Sequence, residues 1–93
     1  MKQSIHMVGS QHADVIAVIA ESIRSVSAKA REVTITSNSR LLEELALDSL
    51  DLVAVILRLQ DHYEVEIDPD KISAVTRVGE LVTVVTDQLR AAA

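Results

Sequence analysis

The stretch that decides the fold is DSLDLVAVILRLQDHY, which runs from Asp48 to Tyr63. Its apolar residues recur at three- and four-residue steps, which is the period of an α-helix, and aspartate is favoured at a helix N-cap. We therefore predict a helix from Ser49 to about Tyr63. The face expected to enter the core consists of Leu52, Val55, Ile56, Leu59 and Tyr63.

The same helix carries a second apolar stripe, formed by Leu50, Val53 and Leu57 at positions i, i+3 and i+7. A helix that is apolar on two sides is either deeply buried or presents one side to a partner. The residues alone leave both interpretations open.

The segments before this helix predict a first helix and a long loop. Apolar residues recur with helical spacing from Ala13 to Ala30. The period is lost after Arg31, where a short alternating stretch has no partner strand, so we predict a long structured loop with Ile35 turned inward.

The segments after it predict two more helices. Asp68 and Pro69 combine an N-cap with proline at a first helical position, which indicates a short helix near Asp70 to Ala74. A last helix is expected to begin at Thr76. The fold class is therefore all-α: a four-helix bundle with three long helices, one short third helix and a long first loop.

Length and composition indicate one domain. The chain has 93 residues, no cysteine, and Tyr63 as its single aromatic residue outside the histidines. Disulfides and thiolate metal sites are excluded, and the core must be aliphatic. We expect one domain from 13 to 90, a flexible tail or expression remnant at 1–12, and a frayed end at 91–93.

Charge is concentrated in the middle of the chain. Residues 41–70 contain nine acids and one base, Arg58, which disfavours nucleic acid as a partner. A basic protein would be attracted, although composition alone slightly favours a merely solvated acidic surface. No apolar run is longer than that from Val15 to Ala20, which is too short to span a membrane, and residues 1–10 do not resemble a secretory signal. We predict a cytoplasmic protein.

Conventional catalysis has little support. His6, His12 and His62 show no metal-ligand spacing. Ser49 and His62 lie on one predicted helix, roughly 20 Å apart, so this histidine cannot activate that serine. Ser49 itself is either an ordinary helix start or an exposed serine for another enzyme to modify, since a helix N-terminus suits a phosphate. No metal site is predicted.

The run LLEELALDSLD, from Leu41 to Asp51, resembles the attachment site of acyl carrier proteins, whose hallmark is Asp-Ser-Leu at the start of the second helix. The resemblance continues through LRLQDHYEVEI, from Leu57 to Ile67, with Tyr63 where the family commonly has Phe. It extends further through DPDKISAVTRVGELVTVV, which ends at Val85.

This resemblance implies that Ser49 bears 4′-phosphopantetheine as a phosphodiester, transferred from coenzyme A by a separate phosphopantetheinyl transferase that Asp48 assists. The chain would hold acyl groups as thioesters and catalyse nothing itself. Its other expected partners are synthase enzymes such as a ketosynthase and an acyltransferase or acyl-ligase, which a monomer would visit in turn. The residues expected to dock these partners are Leu50, Asp51, Val53, Ala54 and Leu57.

Two departures from the common pattern suggest a specialised pathway. Ala46-Leu47 stands where fatty-acid carriers commonly have Gly-Ala, and Ala54 stands where they commonly have Glu. The alternatives are a D-alanyl, aminoacyl or peptidyl carrier, or a helical interaction module whose Ser49 is unmodified. In the family, acyl cargo enters between the helices, which an aliphatic core would permit.

Overall fold

The computed structural model describes residues 11–92 and contains four α-helices. They are α1 (Gln11–Val26), α2 (Ser49–Tyr63), α3 (Pro69–Ile72) and α4 (Val78–Ala92), and a 3₁₀ turn at Lys29–Glu32 follows α1. The described residues form no strand beyond one isolated bridge between Arg40 and Arg77. The predicted all-α class, with three long helices and a short third one, is confirmed.

Helix α2 has the predicted bounds, whereas α1 does not. Helix α1 begins two residues before the predicted Ala13 and ends at Val26 rather than Ala30. Helix α1 ends early because of Ser27. The buried hydroxyl of this residue donates to the carbonyl oxygen of Leu45 at 2.7 Å and accepts from the amide of Ala30 at 3.3 Å. Serine side chains that bond nearby backbone compete with the helical pattern.

The core is aliphatic, as the composition predicts, and the first loop contributes to it. Tyr63 is half-buried, and its hydroxyl has no hydrogen-bond partner among the described residues. Burial, and to a lesser degree the nearby Asp14 carboxylate, raise the pKa of Tyr63 above its ordinary value. The most deeply buried large side chains are Val15, Ile19, Ile23, Leu41, Leu45, Val55, Leu59, Val78, Leu81, Val82 and Val85.

The long loop between α1 and α2 is fastened to the start of α4. The amides of Val78 and Gly79 donate to the carbonyl oxygens of Ser39 and Ser37 at 3.0 and 2.8 Å. A side chain at Gly79 would place its Cβ 3.0 Å from the Ser37 carbonyl oxygen, so the loop would have to shift slightly to admit one. Ile35 is partly buried against the core, as predicted.

Helix α4 begins at Val78, two residues later than the predicted Thr76. The Glu80 carboxylate accepts from the amides of Thr76 and Arg77 at 2.8 and 2.9 Å, so these residues form the turn that caps the helix. The same hydrogen bonds lower the pKa of Glu80 below its ordinary value. The helix ends at Ala92, and Ala93 lies outside the described residues, so the frayed end at 91–93 stays a prediction.

Helix α3 is shorter than predicted, although its start has the expected chemistry. The Asp68 side chain accepts from the amide of Asp70 at 2.9 Å, and Pro69 occupies the first helical position. The helix ends at Ile72 rather than Ala74. A four-residue helix closes few hydrogen bonds, so packing of Ile72 into the core must hold it in place.

Candidate modification site at the start of the second helix

Two aspartates fix the first turn of α2. Asp48 is the N-cap, and its Oδ1 accepts from the Asp51 amide at 2.8 Å. The Asp51 carboxylate accepts in return from the Asp48 amide at 3.3 Å, which completes a capping box. These bonds satisfy amides that a helix start leaves without partners, and they place two carboxylates near the positive end of the helix dipole.

Ser49 is the first residue of α2 and is exposed to solvent. The hydrogen bonds of the described residues include none made by its hydroxyl, so Oγ is free to react or to be modified. No residue that the structure describes forms a hydrogen bond that would activate it. His62 lies on the same helix near its opposite end and is also exposed, as predicted. His6 lies outside the described residues, and the side chain of His12 is not described.

The backbone just before the site is strained at Ala46. This residue has a φ of 55°, in the left-handed region where a Cβ is unfavourable. Leu47 then returns to the core, and its amide donates to the Leu41 carbonyl oxygen at 3.0 Å. The left-handed residue allows the chain to bury Leu47 immediately before Asp48 turns into the helix.

An apolar cavity of about 340 Å³ lies beside Ser49, between α2 and α3. Ile56, Ile67 and Ile72 are buried in its wall, whereas Val53 and Leu57 are exposed at its rim. Ser49 and Ser73 are its polar contributors, and the rest of the lining is Leu52 and Pro69. Such a cavity fits an aliphatic chain and offers little to a polar ligand.

The second apolar stripe of α2 is exposed. Leu50, Val53 and Leu57 are 79%, 54% and 57% accessible, and Leu42 in the preceding turn is 63% accessible. Asp51 and Ala54, the other residues predicted to dock partners, are half-buried. The structure therefore places all five predicted docking residues on the helix that Ser49 begins.

Residues 11–92 contain no cluster of three histidine or acidic side chains that could hold a metal ion. No helix among them is long and apolar enough to cross a membrane.

Sequence reasoning missed the cavity wall and the exposure of Leu42. The wall residues Ile67 and Ile72 come from the link and from α3, and only tertiary packing brings them opposite α2. The sequence signal for these two residues was weak, because they are single isoleucines separated by mainly polar residues. Leu42 differs from Leu41 and Leu45 in no chemical respect, so only the turn geometry shows that it points outward.

Comparison with known proteins identifies the family. Residues 16–85 match the family model described as a phosphopantetheine attachment site. An acyl carrier protein of Helicobacter pylori strain J99 is 30% identical over 74 residues, which cover 80% of this chain and 88% of that protein. An acyl carrier protein of Campylobacter jejuni subsp. doylei is 35% identical over 69 residues, covering 74% of this chain and 83% of that protein.

A solved structure agrees in fold. The crystal structure of an acyl carrier protein from Thermotoga maritima matches with a TM-score of 0.80 at 22% identity, and the match covers 94% of this chain and 100% of that one. The sequence resemblance, the helical bundle and the family model all agree. The chain belongs to the acyl carrier protein family, carriers with covalently attached 4′-phosphopantetheine.

Proposed function

We propose that Ser49 Oγ is the attachment point of 4′-phosphopantetheine. The observation that carries this is an exposed serine hydroxyl, free of internal hydrogen bonds, at the capped start of α2. The amides of the first helical turn favour the negative charge of a phosphodiester. The residues therefore fit the group that the family carries.

Four other serines of the described chain fit less well. Ser22, Ser27 and Ser39 are buried. The Ser73 hydroxyl, at the far side of the cavity, donates to the Asp70 carbonyl oxygen at 3.0 Å and lies at the end of a four-residue helix. Ser49 combines exposure, a free hydroxyl and a long helix behind it.

The chain's own residues would position and protect cargo. The thiol of the attached group supplies the thioester bond to the acyl chain. The cavity beside Ser49 would accept the aliphatic part of that chain, because its buried wall is formed by branched apolar residues, Ile56, Ile67 and Ile72 among them. Removal of such a chain from water contributes about 0.8 kcal/mol per buried methylene.

The pathway is proposed to be a specialised one, in which a ketosynthase and an acyltransferase or acyl-ligase act on the carrier. Ala54 and the apolar stripe beside it support a partner set different from that of a carrier with an acidic second helix. The chain would act as a cytoplasmic monomer without catalytic activity of its own, and Asp48 would assist the transferase. A D-alanyl or aminoacyl cargo would leave the apolar cavity without a role.

Intact-mass spectrometry tests the attachment site. The apo protein is incubated with coenzyme A, magnesium and a broad-specificity phosphopantetheinyl transferase, and Ser49→Ala and Ser73→Ala are treated in the same way. We expect a phosphopantetheine-sized gain in the wild type and in Ser73→Ala, and none in Ser49→Ala.

Two results would contradict the proposal. A folded, initially unmodified wild type that gains no mass is not a carrier and is better described as a helical interaction module. A gain that persists in Ser49→Ala would place the group on another residue.

A further inference from the structure

The start of α4 is hydrogen-bonded to the loop that leads to Ser49. The first amides of a helix have no partner within that helix. In α4 the amides of Val78 and Gly79 donate instead to two carbonyl oxygens of the loop, those of Ser39 and Ser37, at 3.0 and 2.8 Å. These bonds fix the position of the loop relative to α4.

A further pair of backbone bonds continues from this contact toward the modification site. The Leu41 amide donates to the Thr76 carbonyl oxygen at 3.0 Å, and the Leu41 carbonyl oxygen accepts from the Leu47 amide at 3.0 Å. Leu41 and Leu47 are both buried, and Leu47 directly precedes the cap residue Asp48. A path of backbone hydrogen bonds therefore leads from the turn before α4 to the residue before the cap of α2.

Glu80 holds the turn in which this path begins. Its Oε1 accepts from the amides of Thr76 and Arg77 at 2.8 and 2.9 Å, and from the Thr76 hydroxyl at 2.8 Å. Hydrogen bonds to an ionised carboxylate are roughly twice as strong as those between neutral groups. Glu80 is exposed and does not line the cavity beside Ser49, so its connection with that serine is the path of backbone bonds.

The loop has a reason to leave this arrangement at Ala46. Its left-handed φ of 55° is unfavourable for a residue that carries a Cβ. A strained residue keeps its conformation only when the surrounding structure fixes it. The hydrogen bonds of Leu41 and the burial of Leu47 fix the chain on either side of Ala46.

We propose that Glu80 is a positioning residue for the modification of Ser49. By holding the turn at Thr76, it keeps the loop that ends at Leu47 in the arrangement that the transferase binds. The inference rests on the proposed function. It adds a residue that belongs neither to the attachment motif nor to the cavity.

The expected kinetic effect follows from the populations of the two loop arrangements. Without the Glu80 carboxylate, the turn at Thr76 loses three hydrogen bonds, and the loop is in the fixed arrangement for only part of the time. The apparent dissociation constant of a partner then rises by the inverse of the competent fraction. Saturating carrier restores the competent form, so KM rises and kcat does not. A residue that merely stabilises the fold leaves KM unchanged while the domain stays folded.

The test compares Glu80→Ala with Glu80→Gln, which keeps an acceptor oxygen at the same place. Thr83→Ala is the matched control, because its exposed hydroxyl donates to the Gly79 carbonyl oxygen at 3.1 Å, a bond within α4 that does not involve the loop. Val84→Ala, in a partly buried position on α4, is the control for a general loss of stability. For each variant, kcat and KM are measured with the transferase, coenzyme A and magnesium, and amide hydrogen exchange is measured by NMR.

We expect Glu80→Ala to raise KM for the carrier about threefold with little change in kcat, which corresponds to a competent fraction of about one third. In this variant the Leu41 amide should lose nearly all its protection from exchange, whereas the Ile19 amide in the middle of α1 should stay protected, because the domain remains folded. Glu80→Gln, Thr83→Ala and Val84→Ala should keep the wild-type KM and a protected Leu41 amide.

Three results would overturn the inference. The first is a wild-type KM in Glu80→Ala. The second is a raised KM in either Glu80 variant while the Leu41 amide stays protected, because the side chain would then act on the transferase directly. The third is an equal rise of KM in Val84→Ala, which would reduce the effect to stability. Failure of the proposed function looks different, since neither the wild type nor any variant would then gain mass.

Discussion

The inward and outward faces of α2 are built from the same residue types but have different surroundings. Val55 and Leu59 on the inward face are 0% accessible, whereas Leu57 on the outward face is 57% accessible. Both faces have helical spacing, so periodicity alone cannot distinguish them. The comparison shows that an apolar stripe does not by itself reveal whether the chain buries it.

The covering of the inward face comes from within the chain. Helix α1 packs closely against α2, and the loop residues Leu41 and Leu45 are buried in the same core. No described element covers Leu50, Val53 or Leu57. The inward face therefore contributes to stability, and the outward face is available for binding.

The sharpest test of this division compares two leucines two positions apart. Leu59→Ala should lower the free energy of unfolding by about 2–5 kcal/mol, because it leaves a cavity in a core that cannot fully collapse. Leu57→Ala should change it by no more than about 0.5 kcal/mol, since that side chain is largely in water. Urea denaturation followed by circular dichroism measures both values.

Similar losses in the two variants would break the comparison. Such a result would mean that Leu57 is covered by the chain itself in solution, which would contradict the prediction that the outward face docks partners. Leu59→Met serves as the control, because a volume-conserving change in the core should cost less than about 1.5 kcal/mol.

Asp48 caps α2 and is also predicted to assist the transferase, so substitutions at this residue can separate the two roles. Asp48→Ala removes the bond to the Asp51 amide and should cost about 1 kcal/mol of stability. Asp48→Asn should cost less, since asparagine caps helices about as well as aspartate. If the carboxylate also assists the transferase, both variants should be modified more slowly than the wild type.

The measurements are urea denaturation and the rate of mass gain for each variant. Asp61→Asn, which removes an exposed carboxylate from the far end of α2, is the control for charge. Normal modification of Asp48→Asn would restrict Asp48 to its capping role.

The sequence predicted those parts of the fold that local chemistry determines. Asp48 and Tyr63 bound α2 as expected, and the Asp68-Pro69 pair starts α3. The end of α1 could not be predicted, because it depends on a hydrogen bond from Ser27 to Leu45, eighteen residues later. The predicted start of α4 at Thr76 was wrong, because the Glu80 side chain accepts a hydrogen bond from the Thr76 amide and holds this residue in a capping turn.

The candidate site divides in the same way. Ser49 and the outward stripe follow from a short motif and a helical period, and their roles stay predictions. The cavity does not follow from either, because it lies between α2 and a short helix whose orientation is set by packing of Ile67 and Ile72. Local sequence cannot specify an opening between two elements.

The smallest expected effect concerns Ala46, which belongs to neither face but sets how the chain enters α2. Its φ of 55° lies in the left-handed region, where glycine is more favourable than alanine. Ala46→Gly relieves left-handed strain of about 1–2 kcal/mol and loses about 0.5–1 kcal/mol to the greater freedom of the unfolded chain. We expect a net gain in stability of about 0.5–1 kcal/mol in urea denaturation, with the rate of modification at Ser49 unchanged.

Ala54→Gly, in the interior of α2, is the matched control and should destabilise the protein, since glycine there loses entropy without relieving strain. A loss of stability in Ala46→Gly would mean that Ala46 is not left-handed in solution, and burial of Leu47 before the helix would then need another explanation.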